Sequence, residues 1–181
     1  MFKKFNLQES ISGQNSVKSS VVRNVRSKLT EDYPGIAAHI DEILPKKATL
    51  VQIKCKDHLT FFAVDNEILF FQHFNDAMVP TLLLVHKYPD ILPRVQVDRG
   101  AIKFVLSGAN IMCPGLTSKG AWLPEENIEE GKVVAVMAEG KQHALAIGVM
   151  KMSSDDIKTI NKNIGVDLMQ YLGDPLWKTH M

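Results

Sequence analysis

Apolar residues recur along the chain with two periods, and each change of period marks a change of predicted element. In "NSVKSSVVRNVRSKL", Val17, Val21, Val25 and Leu29 stand four apart, the stripe of an amphipathic helix. Pro34-Gly35 resets the chain, and Ile36, Ile40, Ile43 and Leu44 follow at helical spacing up to Pro45. The runs "TLVQIKC", "LTFFAV" and "EILFFQ" are β-branched and aromatic, and Asp65-Asn66 between the last two predicts a tight hairpin. "PTLLLVHKYP" reads as a short helix with a proline in its first turn. The two prolines of "KYPDILPRVQV" put a domain boundary near Ile91–Arg94.

Beyond it, "RVQVD" predicts a strand. Ala101, Phe104, Val105 and Gly108 then fall at i, i+3, i+4 and i+7, so a helix is expected, with Phe104 in the core and Gly108 as its stop. Asp98 is expected to cap that helix, and Gly108 and Gly115 serve turns. "NIMCPG" alternates back towards a strand, and "KVVAVMAEG" and "HALAIGVMKM" pair through a hairpin at 139–142. Ser153 stands three residues before Asp156, the spacing of a helix cap, and "VDLMQYLGDPLW" closes as a last strand. Short strands, small helices and glycine corners suggest a compact barrel or pseudobarrel in this half.

The composition excludes disorder over most of the 181 residues, with 45% hydrophobic and 23% charged positions. No run approaches the roughly 18 apolar residues of a membrane span, and "MFKKFNLQES" does not read as a secretory signal. Two distant cysteines without a pairing pattern fit a reducing compartment, so a cytoplasmic location and no membrane partner are expected. The net charge of +1 conceals segregation. Lys3, Lys4, Lys18, Arg23, Arg26 and Lys28 face Glu9 alone in residues 1–30, and Arg94, Arg99, Lys103 and Lys119 face Asp98 alone in 94–123. Acids gather in "PEENIEEG" at 124–131. Such a pattern suits a basic face for a polyanion, although a charge run is also what an ordinary solvated face shows.

Catalytic motifs are missing from the sequence. Gly131-Lys132 and Gly140-Lys141 lack the leading glycine and the following hydroxyl of a phosphate loop. Cys55 and His58 have the spacing of half a zinc site, without a second pair nearby in sequence. Cys113, with His86 or His143 as a base, sits at a strand end where a buried structural thiol is the simpler reading. No enzyme, cofactor or metal is expected.

The order Val97-Asp98, Gly100-Ala101, a short helix, Gly108-Ala109, Pro114-Gly115, then Gly131 to Val136 and Ala144 to Gly148 resembles a PUA domain. This RNA-binding pseudobarrel occurs in pseudouridine synthases and archaeosine transglycosylases. With "MFKKF", "PTLLLVHKYP", "AEGKQHAL", "GVMKMS" and "YLGDPLW", the whole chain is similar to the malignant T-cell-amplified sequence family. The resemblance implies an α+β protein: an N-terminal α/β domain over 1–92, a PUA β-pseudobarrel over 93–173 and a tail over 174–181. It implies a non-enzymatic translation factor that pairs with density-regulated protein and binds the small ribosomal subunit. That factor would hold the tRNA acceptor end during reinitiation and post-termination recycling. An RNA-modification component or a tRNA-binding scaffold remain the alternatives. Leu83 stands where the family commonly has arginine, and Lys119 departs from its T-S-P-G pattern.

For the RNA site, Ser107, Gly108, Ala109 and Asn110 follow the helix end, where small residues let a strand approach the backbone. Lys103, Lys119 and Lys141 would neutralise phosphates. The resemblance brings Pro114, Gly115 and His143 to the same face.

Overall fold

The computed structural model describes residues 1–179. Phe5–Ile91, with Thr179, form one compact unit, and Met1–Lys4 with Leu92–Lys178 form another. In the first unit, a one-turn helix α1 (Leu7–Ser10) precedes strand β1 (Ile11–Ser16) and helix α2 (Ser19–Asp32). The inward stripe of α2 is not the predicted one. Val22 and Leu29 are buried, while Val21 is 43% exposed. The reason is local: the Val17 N–H donates to the Leu50 carbonyl, so Val17 lies in extended chain and the helix starts two residues later.

The next predicted helix splits into a 3₁₀ turn at Pro34–Ile36 and a short α3 (Ile40–Ile43), and Ile36, Ile43 and Leu44 are still buried. Arg26 of α2 folds against that region. Its guanidinium donates to the Leu44 and Ile40 carbonyls and to Asp41, the last at 2.6 Å. That bond holds the Asp41 carboxyl below the usual range.

Strands β2 (Val51–Cys55), β3 (Leu59–Val64), β4 (Glu67–His73) and β5 (Val79–Pro80) follow, then α4 (Leu82–Lys87). The sheet is an antiparallel meander in the order β1-β2-β3-β4-β5. Asp65 and Asn66 both take positive φ at the β3–β4 turn, as a tight hairpin requires. Ile53, Phe61, Phe70 and Phe71 fill its centre. Pro80 belongs to β5 rather than to the first turn of α4; Thr81 caps that helix by accepting the Leu84 N–H.

The second unit contains β6 (Arg94–Val97), a 3₁₀ turn at Arg99–Ala101, α5 (Ile102–Leu106), β7 (Ile111–Met112) and α6 (Pro114–Thr117). It continues with β8 (Val133–Ala138), β9 (Ala146–Met150), α7 (Ser154–Ile160) and β10 (Ile164–Tyr171). The sheet order is β6-β8-β9-β10-β7, with β6 and β8 parallel and the other pairs antiparallel. Val95, Val97, Val134, Val136, Ile157 and Val166 pack in one core with Val105, Cys113 and Leu116. Ser153 caps α7 at the Asp156 N–H, 3.1 Å, as its spacing predicts.

Two expectations fail here. Phe104 is 57% exposed, because the helix is only five residues long and turns Val105 inward, with Ala101 and Ile102 packed beside it. The last strand also stops at Tyr171. Residues 172–178 form turns, closed by the buried Asp174 carboxylate, which accepts the Tyr171 N–H at 3.2 Å and the Trp177 N–H at 2.8 Å. They are not a free tail. Among the described residues, no helix is long and apolar enough to cross a membrane.

Asp174→Ala strands both N–H groups and is expected to cost about 1–3 kcal/mol in urea unfolding. Phe104→Ala is expected to cost about 0.5 kcal/mol or less, because an exposed side chain leaves no cavity.

Candidate nucleic-acid interface

The helical segment 99–106 carries the candidate site, and Asp98 fixes where it starts. The Asp98 Oδ1 accepts the Ala101 N–H at 2.8 Å, and its Oδ2 accepts the Ser118 hydroxyl. Its own N–H donates to the Gly115 carbonyl at 3.2 Å. One residue thus ties the start of the segment to α6 through its backbone N–H and to the loop that carries Lys119 through its carboxylate. Asp98 is a cap, as expected.

The predicted residues separate into two groups. Lys119 and Lys141 belong at the start of the segment. There the Glu139 carboxylate accepts the Arg99 backbone N–H at 2.7 Å. A Cβ on Gly120 would lie 2.3 Å from that carboxylate, and one on Gly140 would lie 2.7 Å from the Arg99 guanidinium. Both glycines have positive φ and are needed for this close approach. The loops bearing Lys119 and Lys141 therefore converge on Arg99 and Glu139. Pro114 and Gly115 sit on α6 beside the same end, held through Asp98.

Ser107, Gly108, Ala109 and Asn110 form the other group, at the far end of the segment, about 12–14 Å away by helix rise. Ser107 donates its hydroxyl to the Phe104 carbonyl at 2.7 Å, and Gly108 takes φ +86°. The Asn110 Oδ1 accepts the Leu168 N–H of β10 at 2.8 Å. Lys103 lies between the groups on α5, its ammonium 5.1 Å from the centre of the exposed Phe104 ring. His143 is exposed in the β8–β9 connection, two residues beyond Lys141.

The cations of this surface are free of ion pairs, as are others such as Lys18, Arg23, Lys54 and Lys56 among the described residues. Arg26, Lys28, Lys87 and Lys151 are in ion pairs with Asp41, Asp32, Glu67 and Asp167. Arg99, Lys103, Lys119 and Lys141 make none among the described residues. Arg99 and Phe104 were not singled out as site residues from sequence. The basic run 94–123 contained the signal for Arg99; nothing local distinguished an exposed Phe104 from a buried one.

The catalytic alternatives lose their support. Cys113 is fully buried with Sγ 3.7 Å from Met152 Sδ, and burial pushes its thiol up. Burial does the same to Cys55, and His58 stacks on Phe74 with ring centres 4.3 Å apart. No cluster of three or more metal-capable side chains occurs among the described residues.

The Pre-PUA-like domain matches residues 5–89 and the PUA domain residues 93–172. The chain is 52% identical to translation machinery-associated protein 20 of Schizosaccharomyces pombe over 179 residues, covering 99% of this chain and 98% of that one. It is also 52% identical to malignant T-cell-amplified sequence 2 of Homo sapiens over 177 residues, 98% and 97% of the two chains. A hypothetical protein of Pyrococcus horikoshii shares the fold with a TM-score of 0.72 at 23% identity, covering 92% of this chain and 98% of that one. The fold class is therefore α+β, an N-terminal Pre-PUA-like domain followed by a PUA pseudobarrel, as the sequence predicts.

Both thiols are buried and raised, so iodoacetamide near neutral pH is expected to leave Cys55 and Cys113 unmodified in the folded protein. Mass spectrometry should find both alkylated after unfolding; rapid labelling of native Cys113 would reopen the nucleophile reading.

Proposed function

The chain belongs to the family of translation machinery-associated protein 20 and the malignant T-cell-amplified sequence proteins, and we propose that it is a non-enzymatic translation factor binding RNA through the exposed segment 99–110. The observation that carries this reading is the set of unpaired cations, Arg99, Lys103, Lys119 and Lys141, around one exposed helical segment of a PUA domain. Phosphates take the cations, and the exposed Phe104 ring offers a face for a base.

The RNA is the acceptor end of a tRNA, held on the small ribosomal subunit during reinitiation and post-termination recycling. A single-stranded end suits the site because its unstacked bases can reach side chains and backbone at a glycine-bearing surface. The first domain docks the subunit and a density-regulated-protein partner, in the cytoplasm. Leu83, 41% exposed on α4, lies on that domain where the family commonly carries arginine, so this contact relies less on charge here.

Lys103→Glu and Lys141→Glu are each expected to weaken tRNA binding several-fold and to reduce its salt dependence, with the melting temperature unchanged. Filter binding between about 50 and 200 mM salt reads both effects. If both variants bind tRNA and small subunits like the unaltered protein, the face is misplaced. Co-purification of the tagged chain with small subunits and a density-regulated-protein-like partner tests the assembly.

A further inference from the structure

The far end of the segment lacks what the near end has. At 107–109, the hydroxyl and backbone N–H groups that a phosphate would need are already engaged within the fold. Ser107 donates its hydroxyl to Phe104, and the Gly108 and Ala109 N–H groups donate to the Val105 and Phe104 carbonyls. The Asn110 Oδ1 is held by β10. This is also the carbonyl end of a short helix, which does not favour an anion. None of the four residues carries a charge, so a phosphate reaching this end needs a cation from elsewhere.

That cation comes from a segment about a hundred residues away in sequence. Met1–Lys4 group with the second unit, and Phe2 is 1% exposed, which anchors the segment there. Lys3 itself is exposed. Its side chain crosses directly over Gly108: a Cβ on that glycine would fall 2.1 Å from Lys3 Cε and 3.1 Å from Nζ, with Tyr171 of β10 at 3.2 Å. Gly108 therefore meets two demands at once, the positive φ of the helix stop and the room for the lysine stem. Lys3 makes no ion pair and no hydrogen bond among the described residues, so its ammonium is not serving as a helix cap.

We infer that Lys3 is an RNA-contacting residue, seated on Gly108 to present its ammonium to a phosphate at the far end of the face. The inference rests on the reading of segment 99–110 as RNA-binding. It changes the role of Ser107, Gly108, Ala109 and Asn110: they form the floor on which Lys3 lies, and the charge at that end is the lysine's.

The test uses the full chain, a single-stranded RNA oligonucleotide as probe, and fluorescence anisotropy across a salt series. Lys3→Gln should weaken binding several-fold and lower the slope of log K against log[salt] by about 0.7, one single-stranded phosphate contact. Lys3→Arg should restore the slope, and neither variant should shift the melting temperature. If Lys3→Gln keeps the original slope while Lys103→Glu lowers it, Lys3 is not a contact and the RNA face stands. A lower melting temperature with an unchanged slope gives Lys3 a structural role and overturns the inference. If neither variant alters binding, both this inference and the RNA face fall.

Discussion

Asp98 is the constraint on which the candidate site depends. It follows the last residue of β6, a strand fixed in register against β8, and its carboxylate caps the turn that begins the 99–106 segment. Through Ser118 and Gly115 it also holds the neighbouring loop and α6. A helix of one and a half turns has little stability by itself. Its direction is inherited from the sheet through this one side chain, and the exposure of Lys103 and Phe104 follows from that direction.

The basic residues of both units are only partly paired. In the first unit, Arg26 is turned inward to hold the carbonyls ahead of Pro45, and Lys28 and Lys87 are paired with acids. Over residues 1–30, Arg26 and Lys28 are engaged, while Lys3, Lys4, Lys18 and Arg23 make no ion pair among the described residues. Around segment 99–110 the cations are unpaired. The nearby acids are engaged otherwise: Glu139 accepts the Arg99 backbone N–H, and Asp98 accepts the Ala101 N–H and the Ser118 hydroxyl. Net charge near zero is compatible with a basic surface because pairing, not composition, decides which charges remain available.

The hairpin at Asp65-Asn66, the caps at Asp98 and Ser153 and the strands β8 and β9 are legible in the sequence because each is set by residues within a few positions. Strand β1 is not: nearly all of Ile11–Ser16 is exposed, so no alternation marks it. The same limit applies at the site. Glycines at 108, 120 and 140 announce corners, but what approaches them, Lys3, Glu139 and Arg99, comes from distant segments and has no local signature. The apolar letters of α5 suggest a stripe, and the helix is too short to bury all of it. Helical spacing therefore points Phe104 inward, whereas it is exposed.

The central claim is that RNA meets the second unit along segment 99–110 and the loops at its start. Backbone amide shifts of the full chain, followed by NMR during titration with single-stranded RNA at low salt, test it most directly. The account predicts the largest changes at 99–110, 118–120 and 139–141. Unchanged shifts there, with the changes gathered on α7 or on the first unit's sheet, would contradict it.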